Sequence, residues 1–325
     1  MTTSVPVTPL QVAVLDDYQD VASEFGPWDQ LPANTEITVF HDHLHDPAAL
    51  AERLGRFEVI VAMRERTPFP RSLLERLPLL RLLITTGMGN ASFDLDAAKE
   101  LGIVVSGTGG IAGPTAELTW ALILGLARHV AEEDRLIRAG GWQGSVGLDL
   151  AGATLGLIGL GRLGSQVAGV GQAFGMRVIA WSQNLTEIRA KEVGVEAVGK
   201  ADLLRHADVI SIHLQLSERT RGLIGASDLE LLKPTAYLVN TSRGPIVDEV
   251  ALARALHAGT LAGAALDVYD TEPLPEGHPL RHAPHTLLTP HIGYVTSGTY
   301  AIFYTDAVAD IAAYLAGEPI RVLNN

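Results

Sequence analysis

The sequence predicts an α/β protein with two doubly wound parallel-sheet domains. Three observations carry this. Short apolar runs alternate with helical patterns in both parts of the chain, an order that puts helices over parallel strands. A glycine-rich joint, Gly107-Thr-Gly-Gly-Ile-Ala-Gly-Pro114, separates the two series. The length of 325 residues accommodates about two domains.

In the first series, Gln11–Leu15 and Ile37–Phe40 read as strands. Pro47–Leu54 reads as a helix with Asp46 as its N-cap. Phe57–Met63 is a strand, Leu73–Leu77 a short helix, Leu80–Thr86 a strand, Leu95–Leu101 a helix and Ile103–Ser106 extended chain. A long helical pattern follows the joint, from Thr115 to about Ala139, and is broken at Gly140-Gly141. Further strands are expected at Arg177–Trp181, Val209–His213, Tyr237–Asn240, Leu261–Leu266 and Thr286–Leu288, with a final amphipathic helix over about Thr299 to Ala316.

The second series opens with Thr154-Leu-Gly-Leu-Ile-Gly159-Leu-Gly161-Arg-Leu-Gly164, an apolar strand running through G-x-G-x-x-G into a helix over Arg162 to Phe174. In that order each glycine has a task. Gly159 permits the tight turn, Gly161 leaves room for a pyrophosphate, and Gly164 lets the helix lie close on the strand. The free amides and positive dipole end of the helix then face the phosphates. The flanking strand and helix supply the context that the motif alone lacks among 33 glycines. A Rossmann unit of about 150 residues occupies roughly 109–294. The final helix falls outside it. It either packs on the first domain, making that domain discontinuous (1–108 plus 295–325) with a two-crossover hinge, or forms an extension to two consecutive domains.

Composition bounds the partners. The chain is 47% hydrophobic and 19% charged, with a net charge of −13, which argues against nucleic acid or an anionic membrane. It has no cysteine, which excludes disulfides, thiolate metal sites and cysteine nucleophiles and fits a cytoplasmic setting. The opening residues MTTSVPVTPLQ lack the pattern of a signal peptide, and the longest apolar runs, such as Trp120 to Ala127, are too short to span a bilayer. No internal repeat, low-complexity tract or like-charge block is evident.

Ligands of open α/β sheets sit beyond the carboxyl ends of the strands, and three polar clusters fall there. Asn240-Thr-Ser-Arg243-Gly-Pro follows one strand, Asp267-Val-Tyr-Asp-Thr-Glu272-Pro the next, and Thr289-Pro-His291-Ile-Gly the last. Arginine grips a carboxylate with two parallel hydrogen bonds. Histidine is the side chain best suited to give a proton near neutral pH, and a carboxylate beside it orients the ring. Singly, each reads equally well as a turn arginine, a solvated carboxylate or a loop histidine. Together, downstream of a dinucleotide turn, they suit carbonyl reduction beside a nicotinamide.

Gly159-Leu-Gly-Arg-Leu-Gly164, Asn240-Thr-Ser-Arg-Gly-Pro-Ile-Val-Asp-Glu249, Gly263-Ala-Ala-Leu-Asp-Val268 with Glu272-Pro-Leu274, and Leu288-Thr-Pro-His-Ile-Gly293 make the chain resemble the D-2-hydroxyacid dehydrogenase family over nearly its whole length, glyoxylate and hydroxypyruvate reductases among them. The resemblance implies a Rossmann cofactor domain inserted into a discontinuous flavodoxin-like substrate domain. It implies that Arg243 binds the substrate carboxylate and carbonyl, that His291 is the acid/base and that Glu272 is its partner. Asp267 holds the nicotinamide carboxamide. Gly159, Gly161, Arg162, Leu163, Gly164, Ser182, Gln183, His213 and Thr241 complete the cofactor contacts, with Arg162 on the pyrophosphate. The turn Thr86-Gly87-Met88-Gly89-Asn90 is the substrate loop, with Met88 and Gly89 at the carboxylate. It further implies a homodimer joined through the Rossmann domains, with Thr115 to Asp149 as linker helix and arm.

Departures from the family concern cofactor and substrate. Ser182, 23 residues beyond Gly159, stands where NAD-preferring members carry an aspartate that binds the ribose 2′-hydroxyl and repels a 2′-phosphate. NADP(H) is therefore expected to be tolerated or preferred, with Arg189 the nearest downstream cation. Gln215 replaces a proline common in the family, and Tyr294 is bulky where many members are small. It either narrows the site or packs at the hinge. Glu272 speaks against formate dehydrogenase, which has glutamine there. Arg64 and Arg66 read either as reaching a second anionic group of the substrate or as solvated, and the solvated reading is the expectation. His41, His43 and His45 resemble a metal cluster, but they end at a helix cap and the family's hydride transfer uses no metal, so none is expected. The principal reading is an NAD(P)-dependent reductase of small 2-ketoacids. The alternative is a non-enzymatic NAD(H)-dependent interaction protein, since the C-terminal binding protein corepressors resemble the same family.

Overall fold

The computed structural model describes residues 9–325; the signal-peptide reading of the first eight residues lies outside them. The chain divides into two compact units, one comprising the described residues up to Ile111 together with Val295–Asn325, the other Ala112–Tyr294.

The first unit holds a parallel sheet of β1 (Leu10–Val14), β2 (Thr35–Val39), β3 (Val59–Ala62), β4 (Leu82–Thr85) and β5 (Val104–Gly107), in the order β2-β1-β3-β4-β5. That is the flavodoxin-like order. All residues of β3 and β4 are buried, as strands covered by helices on both faces must be. Asp46 caps the helix Pro47–Leu54 by accepting from the Ala49 amide. The last helix, Ser297–Leu315, belongs to this unit, so the unit is discontinuous. It buries Tyr300, Phe303, Tyr304, Ala307, Val308 and Ile311, the spacing of one helical face. Asp306 Oδ2 accepts from the Gly109 amide at 2.7 Å, tying the crossing segment to this helix, and Leu323 N donates to Val105 O at 2.8 Å, tying the tail to the sheet.

The second unit holds β6 (Thr154–Ile158), β7 (Arg177–Trp181), β8 (Glu196–Ala197), β9 (Val209–Ile212), β10 (Tyr237–Asn240), β11 (Gly263–Leu266) and β12 (Thr286–Leu288), all parallel, in the order β12-β11-β10-β9-β6-β7-β8. This is the Rossmann order with one added strand. The registers place Asn240 level with Leu266 and Leu266 level with Leu288, so the three polar clusters leave the sheet side by side.

One expectation needs correction and one element is new. The long helix from Thr115 to Ala139 is two helices, Gly113–Ala127 and Val130–Arg138. His129 between them is left-handed at φ 52°, a break that no glycine or proline announces. The two-residue strand β8 is absent from the sequence reading, being too short to show alternation.

Candidate active site

At the turn from β6 into the helix Arg162–Ala173 the three glycines differ in what a side chain would meet. Gly159 has φ +106°, and a Cβ there would lie 2.5 Å from His213 O. A Cβ on Gly164 would lie 2.2 Å from Gly159 O, so the helix can approach its strand only without a side chain. At Gly161 a Cβ would meet nothing within 4 Å, and no side chain caps the helix. Open space before uncapped amides is what a pyrophosphate requires, so these residues fit a dinucleotide. Arg162 and Leu163 supply the first helical residues.

The end of β7 carries half-buried Ser182 and exposed Gln183. No carboxylate stands at either position. Arg189 reaches back to Ser165 Oγ at 3.2 Å and to Glu192 at 3.1 Å, placing its guanidinium beside the first turn of the dinucleotide helix. His213, just past β9, pairs through Nε2 with Ser211 Oγ at 2.9 Å, and burial lowers its pKa to about 4. It is a neutral imidazole at physiological pH.

The loop after β10 is organised by Asn240, whose Nδ2 donates to Arg243 O at 2.9 Å while its Oδ1 accepts from Ser242 N at 3.0 Å. Ser242 Oγ donates to Leu214 O. Arg243 Nη1 donates to Ser242 O at 2.8 Å. Thr241 is buried, its hydroxyl 2.8 Å from Thr119 Oγ1. Thr119 Oγ1 donates to Thr115 O at 2.8 Å, and Thr115 Oγ1 to Gly293 O at 3.0 Å. The helix Gly113–Ala127 thereby braces both the Arg243 and the His291 loops.

Asp267, at the end of β11, is 1% exposed. Its Oδ1 accepts from Thr289 Oγ1 at 2.6 Å and Ile292 N at 2.8 Å, and its Oδ2 from Gly293 N at 2.8 Å. Burial raises its pKa, against the pull of those donors. Its visible work is to hold the loop on which His291 sits, at φ 55°. His291 Nδ1 lies 2.6 Å from Glu272 Oε2, and Glu272 Oε1 accepts from Tyr269 N at 2.9 Å. A carboxylate only accepts, so Nδ1 carries the proton and Nε2 is left for other work. The Tyr294 ring stands edge-on to His291, centroids 5.6 Å apart.

The structure thus brings Glu272 and His291 together and places Arg243 on the neighbouring strand end. Sequence reading missed Tyr269, whose hydroxyl lies within donating distance of both Leu266 O at 3.1 Å and Thr289 O at 3.0 Å. It also missed Glu249 and His278, whose Oε2 and Nε2 lie 3.1 Å apart. An acid directly after a helix cap is the only local signal that pair offers, and its burial leaves no mark in the sequence.

In the first unit, the turn after β4 has Gly87 at φ +91°, where a Cβ would lie 1.8 Å from Arg64 Nη1. Asn90 Nδ2 donates to Arg64 O at 2.7 Å and Thr85 Oγ1 at 2.9 Å, pinning the turn. Met88 at its tip is 58% exposed and Gly89 faces open space. The expectation that Arg64 and Arg66 are solvated does not hold. Arg64 Nη1 donates to Thr86 O at 2.9 Å, and Arg66 donates to Asp16 O at 2.9 Å while stacking 4.8 Å over the Tyr18 ring. His43 pairs with buried Asp16 at 2.9 Å, and His41 bonds Asp17 O at 2.9 Å.

A family model described as D-isomer specific 2-hydroxyacid dehydrogenase, NAD binding domain, matches residues 120–293. The chain is 43% identical over 263 residues to a glyoxylate reductase of Aeropyrum pernix, covering 78% of each chain. It is 36% identical to a glyoxylate reductase of Thermococcus litoralis, covering 89% of this chain and 90% of the relative. A crystal structure of a phosphoglycerate oxidoreductase from Vibrio cholerae superposes with a TM-score of 0.90 at 37% identity, covering 95% of this chain and 99% of that one. On its glycine turn, its strand order and these relatives, the chain belongs to the D-isomer specific 2-hydroxyacid dehydrogenase family.

Proposed function

We propose that this NAD-dependent oxidoreductase works as a reductase of small 2-ketoacids, glyoxylate first among them, with Arg243, Glu272 and His291 as its catalytic set. The observation that carries the reading is the 2.6 Å His291–Glu272 pair, held beside the Arg243 loop in the sheet that carries the dinucleotide turn. NAD(H), when bound, supplies or accepts the hydride. The residues fitted to hold it are Gly159, Gly161, Arg162, Leu163 and Gly164 at the turn, with Ser182, Gln183, His213, Thr241 and Asp267 at the following strand ends. Glu272 keeps one proton of His291 on Nδ1; the imidazolium gives its second proton, on Nε2, to the carbonyl oxygen in reduction, and the neutral ring takes it back there in oxidation. Arg243 grips the carboxylate and meets the charge that builds on that oxygen.

Two finer points belong to the same reading. With Ser182 in place of a carboxylate, nothing there repels a 2′-phosphate, and Arg189 lies at the first turn of the dinucleotide helix. NADP(H) is accepted, or preferred, with that arginine as the nearest cation for its 2′-phosphate; steady-state kinetics with NADH and NADPH test it, and strong selectivity for NADH sinks it. Trp142 at 76% and Val146 at 93% exposure, with Ile137 at 50%, form an apolar arm suited to a homodimer. Equilibrium sedimentation tests that. No helix among the described residues is long and apolar enough to cross a membrane, and the absence of cysteine fits a cytoplasmic site of action.

The test is a screen of glyoxylate, hydroxypyruvate, pyruvate and branched or aromatic 2-ketoacids with both cofactors. Turnover lost in Arg243→Ala and His291→Ala is the expected result. Oxidation of neither cofactor with any of them favours the interaction-protein reading instead.

A further inference from the structure

Glu249 opens the helix Glu249–His257, directly after its N-cap Asp248. A first-turn carboxylate normally lies in water, where it meets the helix dipole at little cost. This one is 8% exposed. Each of its oxygens has a partner. Oε1 accepts from the Asp270 amide at 2.8 Å, and Oε2 lies 3.1 Å from His278 Nε2. His278 Nδ1 accepts from the Leu280 amide at 3.4 Å, which leaves the imidazole proton on Nε2, directed at Glu249. Burial, reinforced by the Asp270 and Glu272 carboxylates, pushes the pKa of Glu249 up to about 7.

The amide that Glu249 holds belongs to the turn that builds the acid/base pair. The neighbouring amide, Tyr269 N, donates to Glu272 Oε1 at 2.9 Å, and Glu272 Oε2 meets His291 Nδ1 at 2.6 Å. On its other side the Tyr269–Asp270 peptide lies against Gly244, where a Cβ would fall 2.4 Å from Asp270 N. One continuous chain of contacts thus runs from His278 through Glu249 and the 269–270 peptide to Glu272 and His291. Each carboxylate in it spends one oxygen on a backbone amide and the other on an imidazole.

We propose that Glu249 is a positioning residue for the His291–Glu272 pair: by holding the Asp270 amide it sets the turn from which Glu272 is aimed at His291. The inference rests on the reductase reading above for its kinetic consequence, but its structural consequence is measurable without turnover. The hydrogen of a short imidazole–carboxylate bond resonates far downfield in proton NMR, and the line belonging to His291 is identified by its absence from His291→Asn.

In Glu249→Ala that line is expected to disappear, and kcat for glyoxylate to fall roughly 10-fold or more with KM held within about two-fold. Glu249→Gln keeps an oxygen for the Asp270 amide and is expected to retain both line and rate. Should Glu249→Ala fail to fold, His278→Ala, which frees the other carboxylate oxygen, is expected to weaken the same line. Retention of line and kcat in the alanine variant overturns the proposal, as does equal loss in the glutamine variant or a wild-type spectrum without the line. If the wild type reduces no 2-ketoacid, the reductase reading fails and the resonance alone decides the positioning role.

Discussion

Gly244 lies directly against the peptide that joins Tyr269 to Asp270: a methyl group on it would sit 2.0 Å from the Tyr269 carbonyl carbon. That carbon is backbone and cannot swing away. Gly244 follows Arg243, and Tyr269 donates its amide to Glu272, so the loops of the cation and of the acid/base pair are in contact.

Gly244→Ala is therefore expected to cost activity more than stability. The overpacking is worth about 1–3 kcal/mol, readable as a lowered thermal midpoint. A displacement on the order of 1 Å between Arg243 and His291 lowers kcat roughly 100-fold. A variant with wild-type kcat removes the coupling.

The glycine turn makes a paired prediction. A Cβ on Gly161 meets nothing within 4 Å, whereas one on Gly164 lies 2.2 Å from Gly159 O. Gly161→Ala is expected to leave thermal stability within about 0.5 kcal/mol and to weaken NADH binding about ten-fold or more, since its methyl group stands where the pyrophosphate must come close. Gly164→Ala is expected to lower stability first. Cofactor titration by fluorescence and thermal unfolding together separate the two, and unchanged NADH affinity in Gly161→Ala argues against binding at this turn.

Glu272→Gln keeps an acceptor for the Tyr269 amide but presents an amide group to His291 Nδ1. The ring is then held in the other tautomer, neutral and a poor acid. The expected loss in kcat is on the order of 100- to 10,000-fold, with cofactor affinity unchanged. A loss confined to KM shows that the pair binds substrate rather than moving a proton.

Two buried groups give stability a pH profile. The pKa of His213 is lowered to about 4, so the unfolded chain takes up its proton first as pH falls. Its contribution is complete above about pH 6.5 and is lost progressively toward pH 4, by less than about 3 kcal/mol. Asp310 moves oppositely. Burial, with Asp306 nearby, raises its pKa to about 7 against the pull of Arg321. Its contribution is complete below about pH 4 and is lost as pH rises through 7. Chemical denaturation across pH is expected to show His213→Gln removing a gain in stability, and Asp310→Asn a loss, as pH rises from about 4 to about 7. Unaltered profiles in both variants rule the two groups out as the source.

The sequence by itself determined what is local. Glycine spacing specified the dinucleotide turn because each glycine answers a steric demand within a few residues. Asp46 announced its helix because a cap acts on an amide three positions away. Arg243, Glu272 and His291 were legible because parallel strands put their functional ends on one edge. Tertiary structure decided the rest. Whether Asp267 faces a ligand or the amides of Ile292 and Gly293, whether Thr241 turns toward Thr119, and whether Glu249 lies in water or under Asp270 all depend on which strands become neighbours. His129 breaks its helix with no local breaker, and Arg64 folds back on Thr86 rather than into solvent. Such contacts join residues far apart along the chain, and their energies exist only once sheet order and register have closed the distance, so no local pattern can encode them.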